Sequence, residues 1–391
     1  MKRQQPLGGV GILCLLWLTG LYLRIPVLVA PPLSPRISAD LGLGQAATGA
    51  LTTLPVLMLA VGAVLGSLVV ARLGPRNAVV AGLALAAAAS CARGAAPPVA
   101  VLYAATALTG LGIAVMQPAM AALADAWCPA IVALAVGVYM NGMYCGEFAS
   151  AGLTQLWVLP AAGGDWRLAL VFWSLPAAGI IAALYLPRRG AARSAGRAVA
   201  AWPDWRSATM WRLGLLSSAT SVLFMGTNAY MADIVGSRGD ALQQALFWFN
   251  ISQIFASLIM IAAVRRLVMR RLPLIATSLV STAAGALMLV FGGAGALVAA
   301  FILGMATAMQ LTLIVMAAPY LAAAGEAGRM TAGIFVIGYS IAFIVPLLGG
   351  LLAQATGTPW LAMLPMIVYA AATFPLALTL RLHRRPDTAG D

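Results

Sequence analysis

The chain has 391 residues, 62% of them hydrophobic and only 8% charged, with a formal net charge of +13. Soluble domains carry about 25% charged residues, so this composition excludes a water-soluble globular fold. The basic residues are dispersed among loops, which points to membrane topology and contact with anionic lipid and not to nucleic-acid binding.

Mainly apolar segments of about 20 residues, long enough to cross a hydrocarbon layer about 30 Å thick, recur along the whole length. Twelve spans are predicted, at 8–33, 45–71, 77–96, 98–123, 129–157, 166–187, 209–235, 241–264, 272–292, 295–323, 328–355 and 359–381. Lipid offers no partner to backbone polar groups, so each span must be helical, and Pro55, Pro118 and Pro346 mark kinks. Lys2-Arg3 and the apolar run after them do not read as a secretory signal, because the run extends about 25 residues, past the usual 7–15. Residues 188–208, rich in Arg, Ala, Ser and Gly, read as a linker between a six-helix bundle at 1–187 and a second at 209–391.

The two bundles are copies. Gly137-Val-Tyr-Met-Asn-Gly142 returns as Gly333-Ile-Phe-Val-Ile-Gly338, Gly164-Asp-Trp166 as Gly357-Thr-Pro-Trp360, and Val115-Met-Gln117 as Ala308-Met-Gln310. The common offset is roughly 195 residues, and a fixed long period decides architecture. Paired bundles of this kind are how many secondary transporters build a binding site between their halves. With both termini and the linker cytosolic, all basic residues except Arg24, Arg36, Arg93, Arg167 and Arg238 fall on the retained side, 18 of 23, the distribution that the positive-inside rule requires.

Absences narrow the function. There is no Gly-x-x-x-x-Gly-Lys-Ser/Thr phosphate loop, and the single histidine, His383, lies in the basic tail. Energy is therefore expected from an ion gradient. Cys14, Cys91, Cys128 and Cys145 lack metal-ligand spacing and read as packed thiols. With no histidine in a span to activate a nucleophile, no enzyme is expected, and no cofactor or metal either.

The loop Ala71-Arg72-Leu-Gly74-Pro-Arg76, between the second and third of twelve spans in two repeats of six, resembles the gating loop of the major facilitator superfamily. Arg72, Gly74 and Arg76 match, whereas Ala71 stands where an acid is expected, so the resemblance does not supply a gating salt bridge there. A second copy of the loop keeps little beyond Arg270 and Arg271. Further motifs are Arg24-Ile-Pro26 through Pro32-Leu-Ser-Pro35, Leu51-Thr-Thr-Leu-Pro55, Ser90-Cys-Ala-Arg93, Gly110-Leu-Gly112 with Gln117, Gly137-Val-Tyr139, and Trp211 with Gly214. These resemble the cyanate permease and nitroimidazole transporter family. Asp125 and Glu147 depart from its pattern. The resemblance implies an all-α integral membrane fold of twelve helices with alternating access.

Arg24 lies roughly 24 Å along the first span from its cytosolic start. A cation at that depth should face a wet cavity or a partner, and the planar five-donor guanidinium suits a carboxylate or another small oxyanion. Glu147, roughly 27 Å along the fifth span, reaches a similar depth and is the expected partner. Competition between a substrate anion and Glu147 for one guanidinium would couple binding to protonation. Asn141, Tyr144, Gln117, Gln253, Gln310 and Tyr339 complete the expected substrate set, although an interhelical hydrogen bond is the commoner role of such residues. Asn250 and Gln253 share a helix face. Arg93 is expected near the outer end of a peripheral helix, within reach of headgroups. The reading is a monomeric secondary transporter of a small anion or small polar acid, proton-coupled, in a bacterial inner membrane; cyanate is one candidate for symport. Proton-driven export of a neutral or cationic drug-like compound, and a sensor or scaffold on a transporter fold, are the alternatives.

Overall fold

The computed structural model describes residues 9–95, 98–186, 202–235, 240–291, 293–323, 325–380 and 382. Lys2, Arg3, Arg238, His383 and linker residues 188–201 lie outside this set. Every regular element among the described residues is helical. Ten helices are long and apolar enough to cross a membrane. The chain divides into two compact units, Met1–Pro203 and Asp204–Asp391.

The first unit holds α1 (Gly9–Leu21), α2 (Ile25–Leu28), α3 (Ala30–Leu41), α4 (Gln45–Gly94), α5 (Val99–Trp127), α6 (Val132–Leu153), α7 (Leu159–Ala161), α8 (Trp166–Ser174) and α9 (Pro176–Leu184). The second holds α10 (Ala208–Val235), α11 (Asp240–Ala262), α12 (Val264–Leu267), α13 (Arg271–Val290), α14 (Gly293–Leu321), α15 (Ala327–Thr356) and α16 (Leu364–Thr379). One helical run occupies the two spans expected at 45–71 and 77–96, interrupted by Gly74 at φ 77°, ψ 163°. Only glycine adopts that conformation without strain. α6 continues through a wide π turn, Thr154–Val158, into α7.

The first span is longer than expected, and broken. Pro26 has no N–H for the carbonyl of Tyr22, and the preceding amides tighten onto acceptors three residues back: Tyr22 to Thr19, Leu23 to Gly20 and Arg24 to Leu21, at 3.0–3.2 Å. Arg24 then caps α2 with φ −125° and ψ −37°.

Lipid tails are as apolar as leucine, so membrane helices associate through close packing and not through the hydrophobic effect. A Cβ at Gly62 would lie 2.6 Å from that of Ala114, and one at Gly112 would lie 2.7 Å from the carbonyl oxygen of Gly82, so these glycines let α4 and α5 nearly touch. The duplicated glycines do the same work in each unit: Gly142 of α6 lies on Trp17 of α1, and Gly338 of α15 lies on Ser217 of α10. The corner before the last span is also repeated, with Gly164 at φ 83° and Gly357 at φ 66°. In the second unit, Val222, Leu223, Phe249, Leu303 and Met366 form the core between helices. Cys128 is buried, but Cys14 is exposed and does not pack as a thiol in a core.

Candidate substrate site

Three small residues set the geometry of the first unit's polar centre. Gly20 of α1 lies against the carbonyl of Tyr139, and Gly142 and Gly146 of α6 lie against those of Trp17 and Leu21, so the two backbones approach as closely as helices can. The indole Nε1 of Trp17 donates to Oδ1 of Asn141 at 2.8 Å, fixing the register of α1 on α6. One turn beyond Gly142, Glu147 meets Arg24 at the break, with Nε to Oε2 at 3.7 Å. Arg24 is 6% exposed and Glu147 7%. The depths counted along the two helices thus correspond to a real encounter.

That distance exceeds the 2.7–2.9 Å of a charge-assisted hydrogen bond. Oε2 of Glu147 accepts no hydrogen bond among the described residues. The oxygen can take a proton without breaking one.

Arg93 departs from expectation. It is 1% exposed and does not reach headgroups. Its Nη2 donates to the carbonyl oxygen of Pro26 at 2.5 Å and to Oγ of Ser90 at 2.9 Å. Among the described residues, the buried charged side chains are Arg24, Arg93 and Glu147, all in the first unit. The motif Ser90-Cys-Ala-Arg93 held a partial signal, since residues three apart share a helix face. The acceptor on Pro26 could not be foreseen without the break.

The remaining candidates divide between the units. Gln117 and Tyr144 are buried in the first. Asn141 is engaged by Trp17, so its oxygen serves helix packing. In the second unit, Gln253 donates to Asn250 at 3.3 Å and Asn250 to Asn228 at 3.2 Å, a relay joining α11 to α10. Gln310 receives Ser281 at 3.5 Å and donates to the carbonyl of Leu216 at 3.4 Å. Tyr339 is buried and stacks on Phe335 with ring centroids 5.6 Å apart. At the loop, Arg72 is exposed and the guanidinium of Arg76 lies 5.1 Å over the ring of Tyr185.

Ten apolar helices of membrane-crossing length, with a buried arginine and carboxylate meeting at a helix break, define a multi-pass membrane protein. Residues 12–345 match the Major Facilitator Superfamily, and the chain belongs to that family. That is a family of transporters, not of enzymes. The chain is 30% identical over 228 residues to the 2-nitroimidazole transporter of Escherichia coli strain K12, a match spanning 57% of each chain, so somewhat over half of that relative's length is covered. The fold is similar to that of the E. coli fucose:proton symporter, with TM-score 0.72, 13% identity and coverage of 96% of this chain and 99% of that one. It is also similar to a proton:xylose symporter, with TM-score 0.73, 12% identity and coverage of 94% and 95%. The human organic anion transporter MFSD10 shares it at TM-score 0.72 and 14% identity, with 94% and 98% covered.

Proposed function

We propose that the chain is a secondary active transporter of a small anion or small polar acid, moved by alternating access together with a proton. It works as a monomer with twelve spans and cytosolic termini in a bacterial inner membrane. The observation that carries this reading is the buried pair of Arg24 and Glu147 at the broken turn of the first span, 3.7 Å apart. A guanidinium fork binds two coplanar oxygens. An anion arriving there competes with Glu147 for Arg24, and the displaced carboxylate becomes the natural proton acceptor. Anion and proton then bind cooperatively and cross together.

Similarity to a 2-nitroimidazole transporter favours a second reading, in which the solute is a nitroaromatic compound. A nitro group also presents two coplanar oxygens, so the same fork fits it with less charge to balance. A stability-shift screen of the purified protein against small carboxylates, cyanate, nitrate and nitroimidazoles, followed by uptake of the hits into liposomes under an imposed proton gradient, separates the two. An anion that stabilises the protein and accumulates with the gradient supports the first. Stabilisation by nitroimidazoles alone replaces it with the second.

A further inference from the structure

We infer that Arg93 is a second functional cation of this site: its bond to the Pro26 carbonyl holds the broken turn that carries Arg24, and its charge is the buried positive charge that Glu147 leaves over. The charge half rests on the anion reading above; the positional half does not.

Pro26 follows Arg24 by two residues, so at 3.8 Å per Cα step its Cα lies within about 7.6 Å of that of Arg24. A broken helix frees backbone carbonyls that lipid cannot satisfy, and such irregular backbone persists only where protein groups re-satisfy it. Arg93 supplies such a group from α4 at 2.5 Å, and Ser90, one turn earlier on the same face, holds the same nitrogen at 2.9 Å. One guanidinium nitrogen thereby ties the broken turn of the first span to α4.

Arg24 and Glu147 neutralise each other, and among the described residues no carboxylate lies within ion-pair distance of Arg93. Its Nε and Nη1 are buried and donate to no described group. Arginine does not deprotonate in proteins, and a buried charge is normally paired. The buried set therefore carries one excess positive charge, which a monovalent anion cancels on arrival and a cation aggravates; the proton then taken up by Glu147 returns the set to its starting charge. Arg93 thus contributes to selection of charge as well as to the position of Arg24.

Three substitutions of the full-length protein separate these roles. Arg93→Met removes donor and charge, Arg93→Gln keeps a donor for Pro26 without charge, and Arg93→Lys keeps charge and a single donor. Hydrogen–deuterium exchange of the amides between Leu23 and Leu28 should accelerate roughly tenfold or more in Arg93→Met relative to the natural protein and less in Arg93→Gln. Affinity for the probes nitrate, cyanate and acetate should fall roughly tenfold or more in Arg93→Gln and recover in part in Arg93→Lys. Unchanged exchange in a folded Arg93→Met variant overturns the clamp. Equal anion affinity in Arg93→Lys and Arg93→Gln overturns the charge role. If the natural protein binds none of the three anions, the anion reading falls and the charge role with it, while the exchange measurement still decides the clamp.

Discussion

At the scale of the residue, Arg24 occupies a depth at which translocon-type scales charge about 2.5–3.5 kcal/mol for a cation. Glu147, 3.7 Å away, offsets that cost. The pair is held loosely, and looseness suits an exchange of partners better than a lock. Hydrogen bonds to charged groups contribute about 1.5–3 kcal/mol, so Arg24→Ala should weaken substrate binding roughly 10- to 150-fold. Arg24→Lys keeps the charge but loses the fork, and binding should be impaired there as well. Equilibrium binding to the purified variants reads both, and unchanged affinity in a folded Arg24→Ala protein removes the residue from the site. Glu147→Gln mimics the protonated carboxyl. In liposomes acidified outside, the natural protein should concentrate its substrate, whereas Glu147→Gln should exchange substrate across the membrane yet show no accumulation on the same gradient. A Gln variant that still concentrates substrate with pH leaves Glu147 as a static partner. The meeting of these two residues was legible in the sequence because depth in a membrane helix is nearly linear in residue number. The meeting of Arg93 with Pro26 was not, because it depends on a carbonyl that becomes available only where the helix breaks.

Elements here are shaped by where glycine and proline allow or forbid contact. An added Cβ at Gly146 meets the backbone of Leu21, which cannot yield without moving a whole span. At Gly338, the counterpart of Gly142 in the second unit, the nearest atom is Oγ of Ser217 at 3.3 Å, the end of a small side chain. Overpacking of this kind typically costs about 1–3 kcal/mol. Gly146→Ala should therefore lower the thermal melting point in detergent clearly more than Gly338→Ala, and it should also weaken substrate binding by displacing the neighbouring Glu147. Equal effects at the two positions would show that the close approach of α1 and α6 has no special role. Gly62, Gly66, Gly110 and Gly112 let α4 and α5 approach, since small residues are what close helix contact demands. The run-on of α4 through Gly74 was harder to read: Gly-Pro signals a break, and the chain turns there without losing its helical hydrogen bonding on either side.

For the whole molecule, the two units share a plan but not a chemistry. Buried charge among the described residues belongs to the first unit, while the second offers the amides of Asn250, Gln253 and Gln310 and the ring of Tyr339. Gly142 and Gly338, and the corner glycines Gly164 and Gly357, occupy matching places in the two units, while the polar positions differ. Topology is expected to follow the basic residues. In a background with the four native cysteines replaced, an impermeant thiol reagent applied to intact cells should label Ala161→Cys, on the expected outer side, and leave Leu73→Cys, in the expected cytosolic loop, untouched; both positions are exposed. The opposite pattern overturns the orientation.

The sequence by itself determined that this chain is a helical, membrane-spanning, internally duplicated protein of transporter type. Hydropathy, loop charge and repeat offset are sums and differences along the chain, and lipid reads them segment by segment. Tertiary structure decided which polar groups meet. Whether Asn141 faces Trp17, whether Gln310 bridges to Ser281, and whether Arg93 turns inward to Pro26 depend on helix rotation and on breaks a few ångströms in size. One residue of slip turns a helical side chain by about 100°, since a turn takes 3.6 residues, and no linear pattern fixes that angle where nearly every position is apolar.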